Sequence, residues 1–246
     1  MRPLSAQELL DAWERSQAEP PVRRALALLN AACPDSTPDE LARESVGRRD
    51  GRLMTLREWT FGPRLVSLAD CPACGARLET AFDLSEIRAE ETGAGLAEPL
   101  SLAVSGCELT FRLPNSLDVA ELPSGEDLEA ARRRLLKRCL LGAHGPDGEE
   151  VSFDRLSEEA LQAVVEQMAE ADPQGDVEIA FTCPACGEAW AAAFDIASFF
   201  WTEVDAWARV LLDEVHALAA AYCWPEADIL ALSPWRRRSY LERIGR

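Results

Sequence analysis

The sequence is poor in the residues on which most catalysis depends. It holds two histidines, His144 and His216, and one lysine, Lys137, against 24 arginines. With so little histidine, neither a Ser-His-Asp nor a Cys-His site is expected. There is no phosphate-binding glycine loop and no dinucleotide fingerprint. The carboxylates are numerous, but no pair of them is isolated in an apolar setting. No enzymatic step is therefore expected. No apolar run approaches the ~18–20 residues that span a bilayer, so no membrane partner is expected either. The opening segment MRPLSAQELLDAWERS lacks the apolar core of a secretory signal, which points to the cytoplasm. Thiols stay reduced there, so the eight cysteines do not imply a disulfide framework. An excess of positive charge is also missing. The net charge is −18, and such a chain repels the phosphate backbones that clustered Lys and Arg would attract.

What is present is a chain of 246 residues, 48% of them hydrophobic, enough for one large or two small cores. Residues 1–63 read as an N-terminal helical region. Ser5 to Glu8 and Thr37 to Glu40 have the form of capping boxes. PVRRALALLNAAC is a helix opened by proline, and GRRDGRLMTLREWTFG is another, ending near Gly62. Residues 64–90 and 176–198 read as strand, cysteine knuckle, strand. Residues 91–175 form an insertion, opening with a flexible linker at Glu91–Pro99. Its alternating Leu100, Leu102, Val104 and Leu109, Phe111, Leu113, joined at Ser105-Gly106, predict a β-hairpin.

After that hairpin, GEDLEAARRRLLKRCLL places Leu128, Ala131, Leu135, Leu136 and Cys139 on one face of a helix. The basic run Arg132–Arg138 on that helix reads as a solvated face. GAHGPDGEE reads as a loop carrying a solvated His144, and Ser157 to Ala171 as a further helix.

Residues 199–246 are the C-terminal helices. Ile196, Phe200, Val204, Trp207, Leu211, Val215, Leu218 and Tyr222 make one stripe on a helix of about 27 residues, roughly 40 Å long. Phe199 and Trp201 lie off the stripe, and His216 reads as a packing or surface residue. A short helix follows Pro225, and Ser233-Pro234 opens a last one, WRRRSYLERI.

The cysteines carry the sharpest signal. CPACGARLETAFDLSEI (71–87) and CPACGEAWAAAFDIASF (183–199) align without a gap at an offset of 112, with eight of 17 positions identical. This reads as an internal duplication. Two thiolates three positions apart can grip one metal ion from a tight turn. Glycine after the second cysteine supplies the positive φ such a turn tends to need. Two knuckles give four thiolates, which suits one tetrahedral, structural Zn²⁺ per chain held by Cys71, Cys74, Cys183 and Cys186. Such a zinc has no place for a reactive water.

The rival readings are a thioredoxin-like redox pair, knuckles without metal, and a metal shared between subunits. Cys33, Cys107, Cys139 and Cys223 read as small buried apolar groups. The expected fold is α+β: mainly helical, with a split four-cysteine zinc ribbon and a β-hairpin insertion.

Several segments together resemble a known family. They are VGRRDGRLMTLREWTFG followed by CPACG, then FRLPNSLDVAEL, ADPQGDVEIAFTCPACG, FDIASFFWTEVDAWA and YCWPEADILALSPWRRRSYLERI. The pattern resembles the T-even-type phage baseplate hub assembly chaperone family, whose relatives accompany contractile phage tails and contractile injection systems. The resemblance implies a protein that helps assemble a baseplate or its hub in the producing cell's cytoplasm, with hub or spike proteins as partners and no enzymatic step. It also makes the Phe199–Trp207 and Trp224–Tyr240 segments candidates for the partner surface.

The residues themselves leave two readings for Trp201, Trp207, Trp224, Trp235 and Tyr240: domain core, or interface anchors. Arg236, Arg237 and Arg238 are either a solvated helix face or a dock for an acidic partner. A nucleic-acid-binding zinc ribbon is the alternative function. It would need basic and aromatic residues on the ribbon strands, where Arg77, Glu79 and Glu188 are a poor match.

Overall fold

The computed structural model of the chain describes residues 1–89, 99–123, 125 and 127–245. Apart from Pro99, the linker expected at Glu91–Pro99 lies outside them. In chain order the described residues form α1 (Ala6–Ser16), α2 (Pro21–Ala32), α3 (Pro38–Arg43), α4 (Val46–Phe61), β1 (Arg64–Asp70), β2 (Arg77–Asp83) and α5 (Leu84–Ile87). The central stretch adds β3 (Leu100–Val104), β4 (Cys107–Phe111), α6 (Ser116–Ala120), α7 (Leu128–Cys139), β5 (Leu140–His144) and α8 (Glu158–Ala171). Then come β6 (Glu178–Thr182), β7 (Ala189–Ala193), α9 (Ile196–Tyr222), α10 (Glu226–Leu230) and α11 (Pro234–Ile244). The result is a mixture of helices and small antiparallel sheets, an α+β fold.

The chain forms two compact units. Residues 1–37 join 196–246 in one, and residues 38–195 form the other. Their boundaries fall inside the sequence segments 1–63 and 176–198.

In the first unit, α1, α2, α10 and α11 pack on α9. The Ser5/Glu8 capping box is formed at the start of α1. The Trp13 indole N–H donates to Asp205 Oδ1 at 2.9 Å. The expected α9 stripe is buried at Ile196, Phe200, Val204, Leu211, Val215 and Leu218. Trp207 and Tyr222 are only half-buried, whereas Trp201 and Ala208, outside the stripe, are buried. Several helices packing along α9 cover a wider arc than one narrow seam.

In the second unit, α4 is the polar centre. It buries Arg49, Asp50 and Arg57 beside Leu53, Met54 and Leu56. Asp172 accepts from the Gly47 N–H at 2.8 Å, and a Cβ on Gly47 would lie 2.2 Å from the Asp172 carboxylate and 2.6 Å from the Gly175 nitrogen. Gln174 accepts from the Ala89 N–H at 2.8 Å and donates to the Ile87 carbonyl at 3.3 Å.

The insertion has its own core of Leu109, Phe111, Leu136, Ala143, Phe153, Ala160, Leu161 and Val164. The expected hairpin is present as β3–β4. Ser105 and Gly106 both have positive φ, 50° and 75°, the twist that suits a two-residue turn between right-twisted strands.

Three local expectations are corrected. Leu140–His144 is not helix end and loop but strand β5, which pairs with β4 from Glu108↔His144 to Phe111↔Leu140. The pairing partner lies some 30 residues away, and that non-local ladder outweighs the local helical pattern. Leu128 is exposed, because α7 buries only Leu136 and Cys139. Cys223 is exposed rather than buried; with φ 58° it follows the last residue of α9, where its N–H donates to the Ala219 carbonyl.

Candidate metal centre

Each knuckle is a turn between two paired strands. In the first, the Cys71 N–H donates to the Ala76 carbonyl at 2.9 Å, and the Gly75 N–H to the Cys71 carbonyl at 2.9 Å. In the second, the Cys183 N–H donates to the Glu188 carbonyl at 2.7 Å, and the Gly187 N–H to the Cys183 carbonyl at 2.9 Å. Gly75 and Gly187 have φ of 71° and 79°, a region where an L side chain is strained. These glycines are what allow the chain to fold back and aim both thiols the same way.

The four sulfurs converge. Cys71, Cys74, Cys183 and Cys186 Sγ all lie within 4.8 Å of one another. Cys71 lies 3.7 Å from Cys186, and Cys74 lies 3.7 Å from Cys183. The first cysteine of each pair is buried, at 2% and 1% exposure, and the second is exposed. At the 112-residue offset each of these facts maps onto its counterpart: the Cys71–Cys186 contact becomes the Cys183–Cys74 contact. The duplication therefore folds with an approximate two-fold relation between the hairpins.

The donor set fits zinc. Four Zn–S bonds of about 2.3 Å in a tetrahedron place neighbouring sulfurs about 3.8 Å apart. The two 3.7 Å contacts match that edge. The crowding of the four thiols also splits their proton affinities. The N–H groups of Cys186 and Ala185 and the thiols of Cys186 and Cys74 outweigh burial and hold the Cys183 thiol down at about 7. The Glu188 N–H favours a thiolate at Cys186, but the crowd of Cys74, Cys183 and Cys71, with some desolvation, pushes that thiol up to about 12. At Cys74 the Ala76 N–H and Cys186 favour the thiolate, yet the thiols of Cys183 and Cys71 raise it overall. Four thiolates at this spacing repel one another unless a cation sits among them.

Both CxxC pairs lead into strands, β2 and β7. A thioredoxin-like pair instead opens a helix, where the macrodipole lowers the thiol pKa. Of the basic residues on the ribbon strands, Arg77 is paired with Asp70 at 3.0 Å. His144 and His216 are exposed, and neither stands among the clustered metal-ligating groups found in the described residues.

The candidate partner residues do not form one patch. Trp201 is buried, 8% exposed, beneath the Arg24 guanidinium at 4.8 Å. Trp207 is half-buried. Trp224 stacks on Tyr222 at 4.7 Å, and Tyr240 meets both rings edge-on at 5.7 and 4.9 Å. Arg237 is 4% exposed; it donates to Glu214 at 2.9 Å and to the Leu232 carbonyl at 3.0 Å. Trp235, Arg236 and Arg238 are exposed, and Arg238 pairs with Glu242 at 3.5 Å.

Sequence reasoning missed another polar centre. The Asp118 carboxylate, 1% exposed, accepts from Arg112 at 2.5 and 2.8 Å and from Arg138 at 3.1 Å. Burial alone would raise its pKa, but Arg112, the Asn115 N–H and Arg138 outweigh it and hold the carboxyl below the usual range. Asn115 to Asp118 forms a capping box that was readable in the sequence.

The architecture is thus that of an α+β protein in which two distant hairpins meet at a four-cysteine cluster able to hold a metal ion. The model of the T4 bacteriophage base plate protein family matches residues 8–201, and the chain belongs to that family. The matched span contains both cysteine pairs. No curated protein and no solved structure matches the chain. Membership of the family carries a structural or assembly role in a phage baseplate, among other baseplate proteins. Among the described residues no helix is long and apolar enough to cross a membrane.

Proposed function

We propose that the chain is a non-enzymatic assembly factor, chaperone-like, or structural component of the baseplate hub of a contractile phage tail or contractile injection system. One structural zinc holds Cys71, Cys74, Cys183 and Cys186 together. The family match across residues 8–201, spanning both knuckles, carries this reading. A zinc saturated by four thiolates supplies folding free energy and no reaction. Hub or spike proteins are the partners, met in the cytoplasm of the producing cell during assembly. The C-terminal aromatic and arginine residues Trp201, Trp207, Trp224, Trp235, Arg236, Arg237, Arg238 and Tyr240 supply the partner surface, either directly or by supporting it.

The test joins two measurements. Purified protein should carry one zinc for four unreactive thiols per chain. Deleting the gene should abolish complete particles, with partly assembled baseplates or isolated hub components accumulating. Normal particles from the deletion strain would overturn the assembly role, and a metal-free chain with all four thiols titratable would overturn the zinc.

A further inference from the structure

We propose that the outer face of α11, formed by Trp235 with Arg236 and Arg238, docks an acidic surface of another baseplate protein. This rests on the baseplate reading above and narrows its partner surface to one helix face.

The chain has seven tryptophans. Trp13 and Trp201 are buried; Trp190, Trp207 and Trp224 are half-buried; Trp59 is 45% exposed. Trp235, at 78%, is the most exposed. Its side chain forgoes the largest apolar burial any residue can make, and exposed tryptophan beside arginine is the composition of interface anchors.

The helix beneath is fixed in place. Ser233 Oγ caps it by accepting from the Arg236 N–H at 3.3 Å. Arg237 ties its inner side to Glu214 of α9, and Tyr240 closes the ring cluster with Tyr222 and Trp224. Trp235 is therefore held out by a folded support, so little ordering entropy remains to be lost on docking.

Charge chooses the partner. Within α11, Arg236, Arg237, Arg238 and Arg243 stand against Glu242 alone. Arg237 is neutralised by Glu214 and Arg238 by Glu242, while Arg236 has no carboxylate partner among the described residues. On a chain of net charge −18, α11 is a locally basic helix, and Arg236 is the uncompensated charge beside Trp235. An acidic protein is repelled by most of this molecule and attracted here, which sets the orientation of docking as well as its site. The family match ends at residue 201, so this face lies beyond the part the family model covers.

The experiment places the photocrosslinker p-benzoylphenylalanine at position 235 in the producing cell and identifies the captured peptide by mass spectrometry. The expected product joins position 235 to a segment of negative net charge in another baseplate protein. The double variant Arg236→Glu, Arg238→Glu should cut its yield roughly tenfold or more, the scale of losing two anchoring arginines. Its thermal melt should shift only slightly, since both side chains are exposed and the one ion pair lost, Arg238–Glu242, is solvent-exposed. Cross-links to a second copy of this chain, to nucleic acid, or to a neutral or basic segment would overturn the proposal, as would no cross-link at all. If the double variant assembles particles normally while the deletion strain does not, the docking face is wrong and the assembly role stands. If the deletion strain assembles normally, the assembly role itself fails.

Discussion

The Phe82 and Phe194 rings meet edge to face, centroids 5.8 Å apart and planes at 85°. They occupy the same position in the two copies of the repeat, 112 residues apart. A residue that meets its own counterpart lies next to the axis relating the copies. The sulfur contacts obey the same relation, since exchanging the copies turns the Cys71–Cys186 contact into the Cys183–Cys74 contact. The candidate metal centre is thus a pair of matched half-sites, and the two phenylalanines meet at the opposite end of the hairpins from the cysteines.

This arrangement predicts paired outcomes for ligand substitutions. With the proposed zinc in place, Cys71→Ser and Cys183→Ser remove the two buried thiols and should match each other in lost zinc and lowered melting temperature. Cys74→Ser and Cys186→Ser remove exposed ligands and should form a second matched pair. Binding free energies of small structural zinc modules are on the order of 10 kcal/mol, so each variant should melt well below the parent. Elemental analysis and calorimetry check this. Four unrelated values would contradict the two-fold relation.

Asp118 makes a pH-dependent contribution. Its folded pKa lies below the unfolded value of about 3.9. Its stabilisation is therefore full above about pH 4 and is lost as pH falls through the lowered folded value. Asp118→Asn should cost about 2 kcal/mol at pH 7. That is less than a fully buried pair would lose, because Arg112 and Arg138 are 31% and 33% exposed. Denaturation at pH 7 and pH 3 should show the gap between parent and variant closing at the lower pH.

Gly47→Ala should destabilise the second unit by about 1–3 kcal/mol. The added methyl would meet the Asp172 carboxylate and, more stiffly, the Gly175 backbone nitrogen. A urea melt that matched the parent would mean the 172–175 turn moves aside freely.

Adjacent arginines should behave differently. Arg237→Ala removes a buried guanidinium, its bond to Glu214 and the donor to the Leu232 carbonyl, at a cost of about 2 kcal/mol. Arg236→Ala, on the exposed face, should change stability by no more than about 0.5 kcal/mol. Thermal denaturation of the two variants side by side makes the comparison.

The features legible in the sequence are those with local or repeated signals. The knuckles announce themselves through Cys-Pro-Ala-Cys-Gly and its copy, the β3–β4 hairpin through strict alternation, and α9 through its stripe. The missed features depend on distant neighbours. Strand β5 exists because β4 offers an open edge, which nothing between Leu140 and His144 records. Arg236, Arg237 and Arg238 look alike as letters. Arg237 is the one buried, and it reaches both Glu214, 23 residues upstream, and the Leu232 carbonyl. Trp201 is covered because Arg24 and the α2 helix lie against α9, a contact no periodicity encodes.

The separation of the two knuckles also sets a timetable for biosynthesis. Cys71 and Cys74 leave the ribosome 112 residues before their counterparts. At about 5–20 residues per second, that is a delay of roughly 6 to 22 s. Throughout it the nascent chain offers two thiols of the eventual four. The three-stranded sheet and α8 are already synthesised when the second hairpin arrives, so the four-cysteine cluster closes only after the enclosed segment has been made.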